Sequence, residues 1–244
     1  MGIIGLWGIA RASNGDIYVA DSFRILQVFE GSPPVVYAGD ISSGNQNGDL
    51  LTARFASLGA MAIAPNGDLF VCDSDMVRRI SGNTVSTFAT LSPSRLHGIA
   101  VDSGGNVGIT IGSADNIYVT DKNRILKFTP AGSMSVVAGS TAFGSVNAVG
   151  EAASFYSPSA LAVGSDGDLY VADGGNSYIR KISLTTREVT TYAGTCYSGS
   201  ITSEISSSAA FIYPSAIVAA ADDVFYGVDG GTLRPHAWKI YTLP

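Results

Sequence analysis

The sequence predicts an all-β fold, a β-propeller of four-stranded antiparallel blades. Two observations carry that expectation. A short phrase of turn, acidic residue, alternating aromatic–aliphatic strand and aspartate returns five times, and no stretch sustains a helical period. The copies run Gly15–Asp21, Gly67–Asp73, Asp115–Asp121, Gly167–Asp173 and, degenerate, Asp222–Asp229, with closing aspartates 52, 48, 52 and 56 residues apart.

Each copy divides into four strands. The first is short, apolar and rich in small residues: Gly8-Ile9-Ala10, Met61–Ala64, Gly98–Val101, Leu161–Val163 and Ile217–Ala219. Such composition suits strands crowded around an axis and covered on both faces. A turn such as Asn14-Gly15 or Asn66-Gly67 follows, a strong hairpin signal, and leads into the second strand with Tyr or Phe and Val alternating. Third strands read Arg24–Val28, Met76–Ile80, Arg124–Phe128, Tyr178–Ile182 and His236–Ile240. Outer strands read Val35–Gly39, Val85–Ala89, Val136–Gly139 and Val189–Gly194. The third copy carries an apparent insertion, Val107–Gly112, between its first two strands, which strand direction would place on the face opposite the aspartates. It reads as an extended hairpin or as an aggregation-prone stretch.

Composition narrows the function classes. Net charge is −6 and pI about 4.7. Nucleic-acid affinity comes largely from Lys and Arg neutralising phosphates, so an acidic chain is a poor candidate. Ten of the fourteen basic residues lie in or beside third strands, Arg78, Arg79, Arg180 and Lys181 among them, and read as solvated positions on an outer strand. Two cysteines do not make a disulfide framework, and Cys72 occupies the small-residue site filled elsewhere by Ala20, Thr120 and Ala172. No apolar run approaches the length of a membrane span, the N-terminus lacks the basic start of a signal peptide, and no Asn-x-Ser/Thr site occurs. The compartment is therefore left open.

The chain resembles the NHL-repeat proteins. Pro158–Val163, Asp168–Asp173 and Asn176 with Ile179–Ile182 fit that family's phrase best, and Ala53-Arg54-Phe55, Ala153-Ser154-Phe155 and Ala209-Ala210-Phe211 match an element preceding the repeat in one of its varieties. The resemblance implies one propeller domain over 1–244, with repeats near 6–39, 53–89, 93–139, 153–194 and 209–244. NHL propellers generally have six blades, so five copies imply either a five-bladed ring or a fragment of a six-bladed one. In the first case Gly2-Ile3-Ile4-Gly5 would supply the missing outer strand of the last blade.

Strand direction gathers three features at one end of the blades. Residues leading the first strands (Trp7, Gly59, His97, Ser159 and Ser215) form a candidate channel-mouth rim, of which Trp7, His97, Ser159 and Ser215 are candidate binding residues. The aspartates Asp21, Asp73, Asp121, Asp173 and Asp229 read as turn residues accepting backbone N–H bonds before the third strand. Long loops near 40–52, 140–152 and 195–208, rich in Ser, Gly, Asn and Thr with Phe143 and Tyr197, suit protein or peptide contacts. No convergent acid–base or metal constellation stands out: the four glutamates, Glu30, Glu151, Glu188 and Glu204, fall in or beside loops and outer strands. The expectation is a non-catalytic scaffold that binds protein or peptide, with no metal and no cofactor. The alternatives implied by the resemblance are a metal-dependent propeller hydrolase or lyase of the lactonase type and, weaker, an RNA-binding propeller.

Overall fold

The computed structural model describes residues 6–91, 109–112, 116–195, 210–220, 224–229 and 236–241. The chain falls into two compact units, Met1–Val101 and Asp102–Pro244. All described sheets are antiparallel, and their meandering order is that of β-propeller blades.

The first unit holds two blades. Blade 1 is the meander β1 (Leu6–Arg11), β2 (Ile17–Asp21), β3 (Arg24–Val28), β4 (Val35–Gly39). A two-residue strand, β5 (Gly48–Asp49), precedes β6 (Leu58–Ile63), β7 (Leu69–Asp73), β8 (Met76–Ser81) and β9 (Thr84–Thr90) of blade 2. β5 pairs with the outermost strand β9 and so extends that sheet to five strands. Ala10, Ala20, Ile25 and Ala38 of blade 1 pack with Phe55, Met61, Leu69, Val71 and Ile80 of blade 2. Burying one such large apolar side chain contributes about 1.5–3 kcal/mol.

The second unit holds three blades. Blade 3 comprises β10 (Ile109–Ile111), β11 (Ile117–Asp121), β12 (Arg124–Phe128) and β13 (Met134–Gly139). Blade 4 comprises β14 (Pro158–Val163), β15 (Leu169–Asp173), β16 (Tyr178–Ile182) and β17 (Val189–Ala193). Blade 5, among the described residues, has three strands: β18 (Pro214–Ala219), β19 (Val224–Asp229) and β20 (His236–Tyr241). One cluster joins blades 3 and 4 through Tyr118, Ile125, Phe155, Leu161 and Val171. Another joins blades 4 and 5 through Tyr170, Ile179, Ile217, Phe225 and Trp238.

The innermost strand of blade 3 differs from expectation. The segment 98–101 lies outside the described residues, and β10 is drawn from the stretch 107–112 that reads as an insertion. Ile109 pairs with Val119 and Ile111 with Ile117, the same register as Leu161 with Val171 and Val163 with Leu169. The run 109–111 lies a short turn from β11, which suits it to the inner-strand place.

Outer edges are covered locally, which protects unpaired backbone from association. Besides β5, a single bridge joins Val149 to Glu188 beside β17. Arg187 donates from Nε to the Val137 carbonyl at 2.9 Å and from Nη2 to the Val136 carbonyl at 3.2 Å, capping β13 of the preceding blade.

Candidate functional site

In four blades the first strand begins opposite the closing aspartate: Leu6 with Asp21, Leu58 with Asp73, Pro158 with Asp173 and Pro214 with Asp229. Each pairing is followed at once by a bulge or shift in register. First-strand starts, aspartates and incoming loops therefore share one end of each sheet, as strand direction implies.

Three of the aspartates accept backbone N–H groups from the segment that leads into their own blade, and Asp173 also accepts from the Asn176 side chain in the turn that follows it, at 2.7 Å. Asp73 Oδ1 accepts the N–H groups of Ala56 and Ser57, both at 2.8 Å, from the segment that leads into its own blade. Asp173 accepts the Tyr156 N–H at 2.8 Å, and Asp229 accepts those of Ile212 and Tyr213 at 2.7 and 2.5 Å. A carboxylate from the second strand thus ties down backbone sixteen or seventeen residues upstream. Asp21 and Asp121 pair with Arg24 and Arg124 directly across the hairpin.

Arg78 and Arg180 overturn the expectation of solvated third-strand cations, since both are fully buried. Arg78 Nη1 donates to Asp73 at 2.8 Å and to the Arg54 carbonyl at 3.1 Å, while Nη2 donates to the Gln46 carbonyl and Asn47 Oδ1. Arg180 repeats the set with Asp173, the Ser154 carbonyl, the Val146 carbonyl and Asn147 Oδ1. Each guanidinium lies over a phenylalanine, Phe55 or Phe155, with 5.2 Å from its carbon to the ring centroid. Burial without such partners would be prohibitive for an always-charged guanidinium. Of the other two expected surface cations, Arg79 pairs with Asp68, and Lys181 lies 2.6 Å from Asp166 and 3.3 Å from Asp168.

These clamps hold the loops near 40–52 and 140–152 in matching shapes. Gly44 and Gly144 N–H groups donate to the Phe55 and Phe155 carbonyls, both at 3.0 Å, and Asn47 and Asn147 occupy equal places. Gly39 and Gly139, at φ of +87° and +85°, turn the outer strands into these loops where a side chain would strike the same phenylalanine rings.

On this common frame the two loops differ in what they expose. Where the first carries Ser43, Gln46 and Ala56, the second carries Phe143, Val146 and Tyr156. Phe143 is 73% exposed, and its ring lies 5.3 Å from that of Tyr156. Tyr156 and Tyr213 lie against the backbones of Gly175 and Gly174, and Ile212 beside Tyr213 is exposed. Burial and the neighbouring Tyr156 and Asp173 raise the Tyr213 phenol above its ordinary pKa. An apolar, partly aromatic patch therefore sits on the loop-bearing end of the second unit. Phe143 was visible in the sequence as loop punctuation; Val146 and Tyr156 stand out only when the two loops are aligned on Asn47 and Asn147.

The expected rim residues separate. Trp7, at the bulge of β1, is half-exposed. Ser159, at the equivalent place in β14, is buried, and its hydroxyl donates to the Ala172 carbonyl at 3.2 Å and the Pro214 carbonyl at 2.7 Å. Ser215 Oγ likewise donates to the Val228 carbonyl at 3.2 Å. Both hydroxyls reach the carbonyl of the residue just before the closing aspartate, Ala172 or Val228. His97 lies outside the described residues, and it precedes the observed inner strand of blade 3 by twelve positions rather than one.

The opposite end of the blades has its own charge pairs. Burial pushes the Asp68 carboxyl up, but hydrogen bonds from Ser81, Arg79 and Asn66, with the Arg79 charge, outweigh it and the net shift is downward. Asp166 behaves likewise, with Lys181, the Asp168 N–H and the Tyr170 hydroxyl opposing burial. Cys72 is buried, and desolvation with the Asp73 charge pushes its thiol up to about 12. Among the described residues no group of three His, Cys, Asp or Glu is placed to hold a metal, and no helix is long and apolar enough to cross a membrane.

Comparison with known proteins agrees with the architecture. A search of curated proteins gives no match. A streptogramin B lyase structure shares 16% identity at a TM-score of 0.63, covering 99% of this chain and 71% of that one. The nidogen/laminin complex gives 15% identity and a TM-score of 0.64, with 97% and 80% covered. An auxiliary nutrient binding protein from Bacteroides thetaiotaomicron gives 17% and 0.59, with 93% and 67% covered. At such identities the likeness is one of fold. Residues 155–182, from Phe155 beneath the Arg180 guanidinium to the end of β16, match the NHL repeat. The five sheets make the protein a β-propeller, and its blade 4 carries an NHL repeat over residues 155–182.

Proposed function

We propose that the protein is a non-catalytic scaffold that binds a protein or peptide segment through the loop-bearing end of its second unit. The observation that carries this reading is the replacement of Ser43, Gln46 and Ala56 by Phe143, Val146 and Tyr156 on an otherwise repeated frame. A repeat departs from its own pattern toward exposed apolar residues where a partner covers them, because exposed aromatic area in water carries a cost and buried aromatic area at an interface dominates affinity. The Arg180 clamp supports the reading further: a loop already fixed in shape loses little entropy on binding. The ligand that fits is an extended segment offering an apolar side chain to Phe143 and Tyr156, with basic flanks suited to a chain of charge −6.

The test is peptide display panned on the protein, followed by titration of enriched peptides against the variant Phe143→Ser/Val146→Gln/Tyr156→Ala, which restores the first loop's residues. Loss of tenfold or more in affinity is expected. Undiminished binding of every enriched peptide to that variant overturns the assignment of the site. Failure to enrich any peptide, with turnover of a lactone or cyclic-depsipeptide substrate by the same sample, would favour the enzyme alternative.

A further inference from the structure

The loop that carries Phe143 differs from its counterpart in charge as well as in apolarity. The hairpin after the closing aspartate places Ser22, Ser74 and Lys122 at one point, with φ of +55°, +55° and +53°. That region of backbone favours glycine, asparagine and aspartate, so the turn itself gives no reason for a lysine. Lys122 is exposed, and among the described residues no carboxylate is paired with it. The acidic groups close by are taken, Asp121 by Arg124 and Asp173 by Arg180.

Asn123 brings this lysine to the patch. Its Nδ2 donates to the Thr141 carbonyl at 3.2 Å, and its Oδ1 accepts the Ser157 N–H at 3.2 Å. One amide thus ties the β11–β12 hairpin to the loop two residues before Phe143 and to the segment one residue after Tyr156. The base of the loop changes in the same sense. In the first loop Asp40 and Arg54 form an ion pair at 3.3 Å and cancel, beside a neutral Ser22. Ser140 and Ser154 take their places in the second, which leaves Lys122 as a single positive charge.

We infer that the patch takes an extended segment in which Asp or Glu stands beside the apolar residue, the apolar side chain lying against Phe143 and Tyr156 and the carboxylate pairing with Lys122. This rests on the reading of the patch as a peptide site and adds the sign of the group recognised there. Basic flanks answer the charge of the whole chain, whereas this carboxylate answers the one cation at the patch. The carboxylate belongs to a side chain and not to a chain terminus. Terminal carboxylates are captured by clustered backbone N–H groups, and those at the patch already have acceptors. Gly144 donates to the Phe155 carbonyl, Val146 to Ser154 Oγ, Tyr156 to Asp173 and Ser157 to Asn123. A lysine on its flexible stem suits an acidic side chain, as a point charge.

The probes are the peptides enriched by panning on the whole chain, resynthesised with amidated C-termini and with Glu, Gln or Lys at the acidic position. Wild type is expected to bind the Glu form about two- to fivefold more tightly than the Gln form, as an exposed ion pair would give, with the gap narrowing as salt is raised. Lys122→Ser, which restores the first blade's residue, is expected to abolish that gap, and Lys122→Glu to prefer the Lys form. Enriched peptides without an acidic residue, or equal binding of Glu and Gln forms to wild type, overturn the inference. If Phe143→Ser/Val146→Gln/Tyr156→Ala still weakens those peptides, the peptide site itself stands. Undiminished binding to that triple variant overturns both. Binding lost on amidation but kept on Glu→Gln assigns a terminal carboxylate and likewise overturns the inference.

Discussion

Arg180 lies over Phe155 with its guanidinium carbon 5.2 Å from the ring centroid, and that contact joins a third strand to a loop more than twenty residues earlier. The same guanidinium reaches Asp173, two loop carbonyls and Asn147, so one side chain fixes both the blade and the segment carrying Phe143 and Tyr156.

Arg180→Met is expected to lower stability by about 3–5 kcal/mol, because it leaves the Asp173 carboxylate buried without its cation. Chemical denaturation followed by tryptophan fluorescence measures it. A loss under 1 kcal/mol would mean the pair is solvated in solution.

Asp229→Ala removes the acceptor for the Ile212 and Tyr213 N–H groups. A cost of about 1–3 kcal/mol is expected for stranding them. Hydrogen exchange should show those two amides losing protection ahead of the β19 ladder; unchanged protection would assign them another acceptor.

Acid should destabilise the protein through Asp68 and Asp166, whose carboxyls are held below their ordinary pKa in the folded state despite the upward push of burial. A lowered folded pKa means that the stabilisation is present above the unfolded value, about 4, and fades as pH falls through the folded value. Urea midpoints measured from neutral pH downward should therefore drop below about pH 4, and Asp68→Asn should flatten that limb. An unaltered limb in the variant would place the acid sensitivity elsewhere.

Cys72 should ignore thiol reagents in the native protein, since burial and Asp73 push its thiol up to about 12. Maleimide labelling followed by peptide mass spectrometry should modify Cys72 only after denaturant is added. Rapid native labelling at that residue would show that blade 2 opens readily.

The fold was legible because alternation of the kind in Ile17-Tyr18-Val19 depends only on neighbours in sequence. The aspartate series was legible for the same reason, but its partners were not: the N–H groups of Ala56 and Ile212 come near Asp73 and Asp229 only through the register of the whole blade. Arg78 and Arg180 misled because a cation on a third strand looks solvated until Asn47 and Asn147 are seen to close over it. Ser159 and Ser215 stood out as a pattern at the strand starts, but their carbonyl partners on Ala172 and Val228 are set by strand pairing, which no local composition announces. The patch needed a comparison within the chain. Tyr156 reads as ordinary beside Phe155 until Ala56 beside Phe55 is set against it.

Blade 5 solves the problem of the buried arginine differently. Trp238 stands where Arg78 and Arg180 stand in blades 2 and 4, its ring 5.2 Å from that of Phe211, and Gly227 opposite it replaces Val71 and Val171. Any side chain at 227 would collide with the indole. The two sites are therefore coupled: a side chain at 227 meets both the indole and the Ala216 carbonyl oxygen, so valine there requires β18 to shift as well as the tryptophan to go, and a smaller residue at 238 leaves a void that the glycine cannot fill. An engineer wishing to convert this blade to the arginine type would have to change both residues in one step, since either intermediate passes through a poorly packed core.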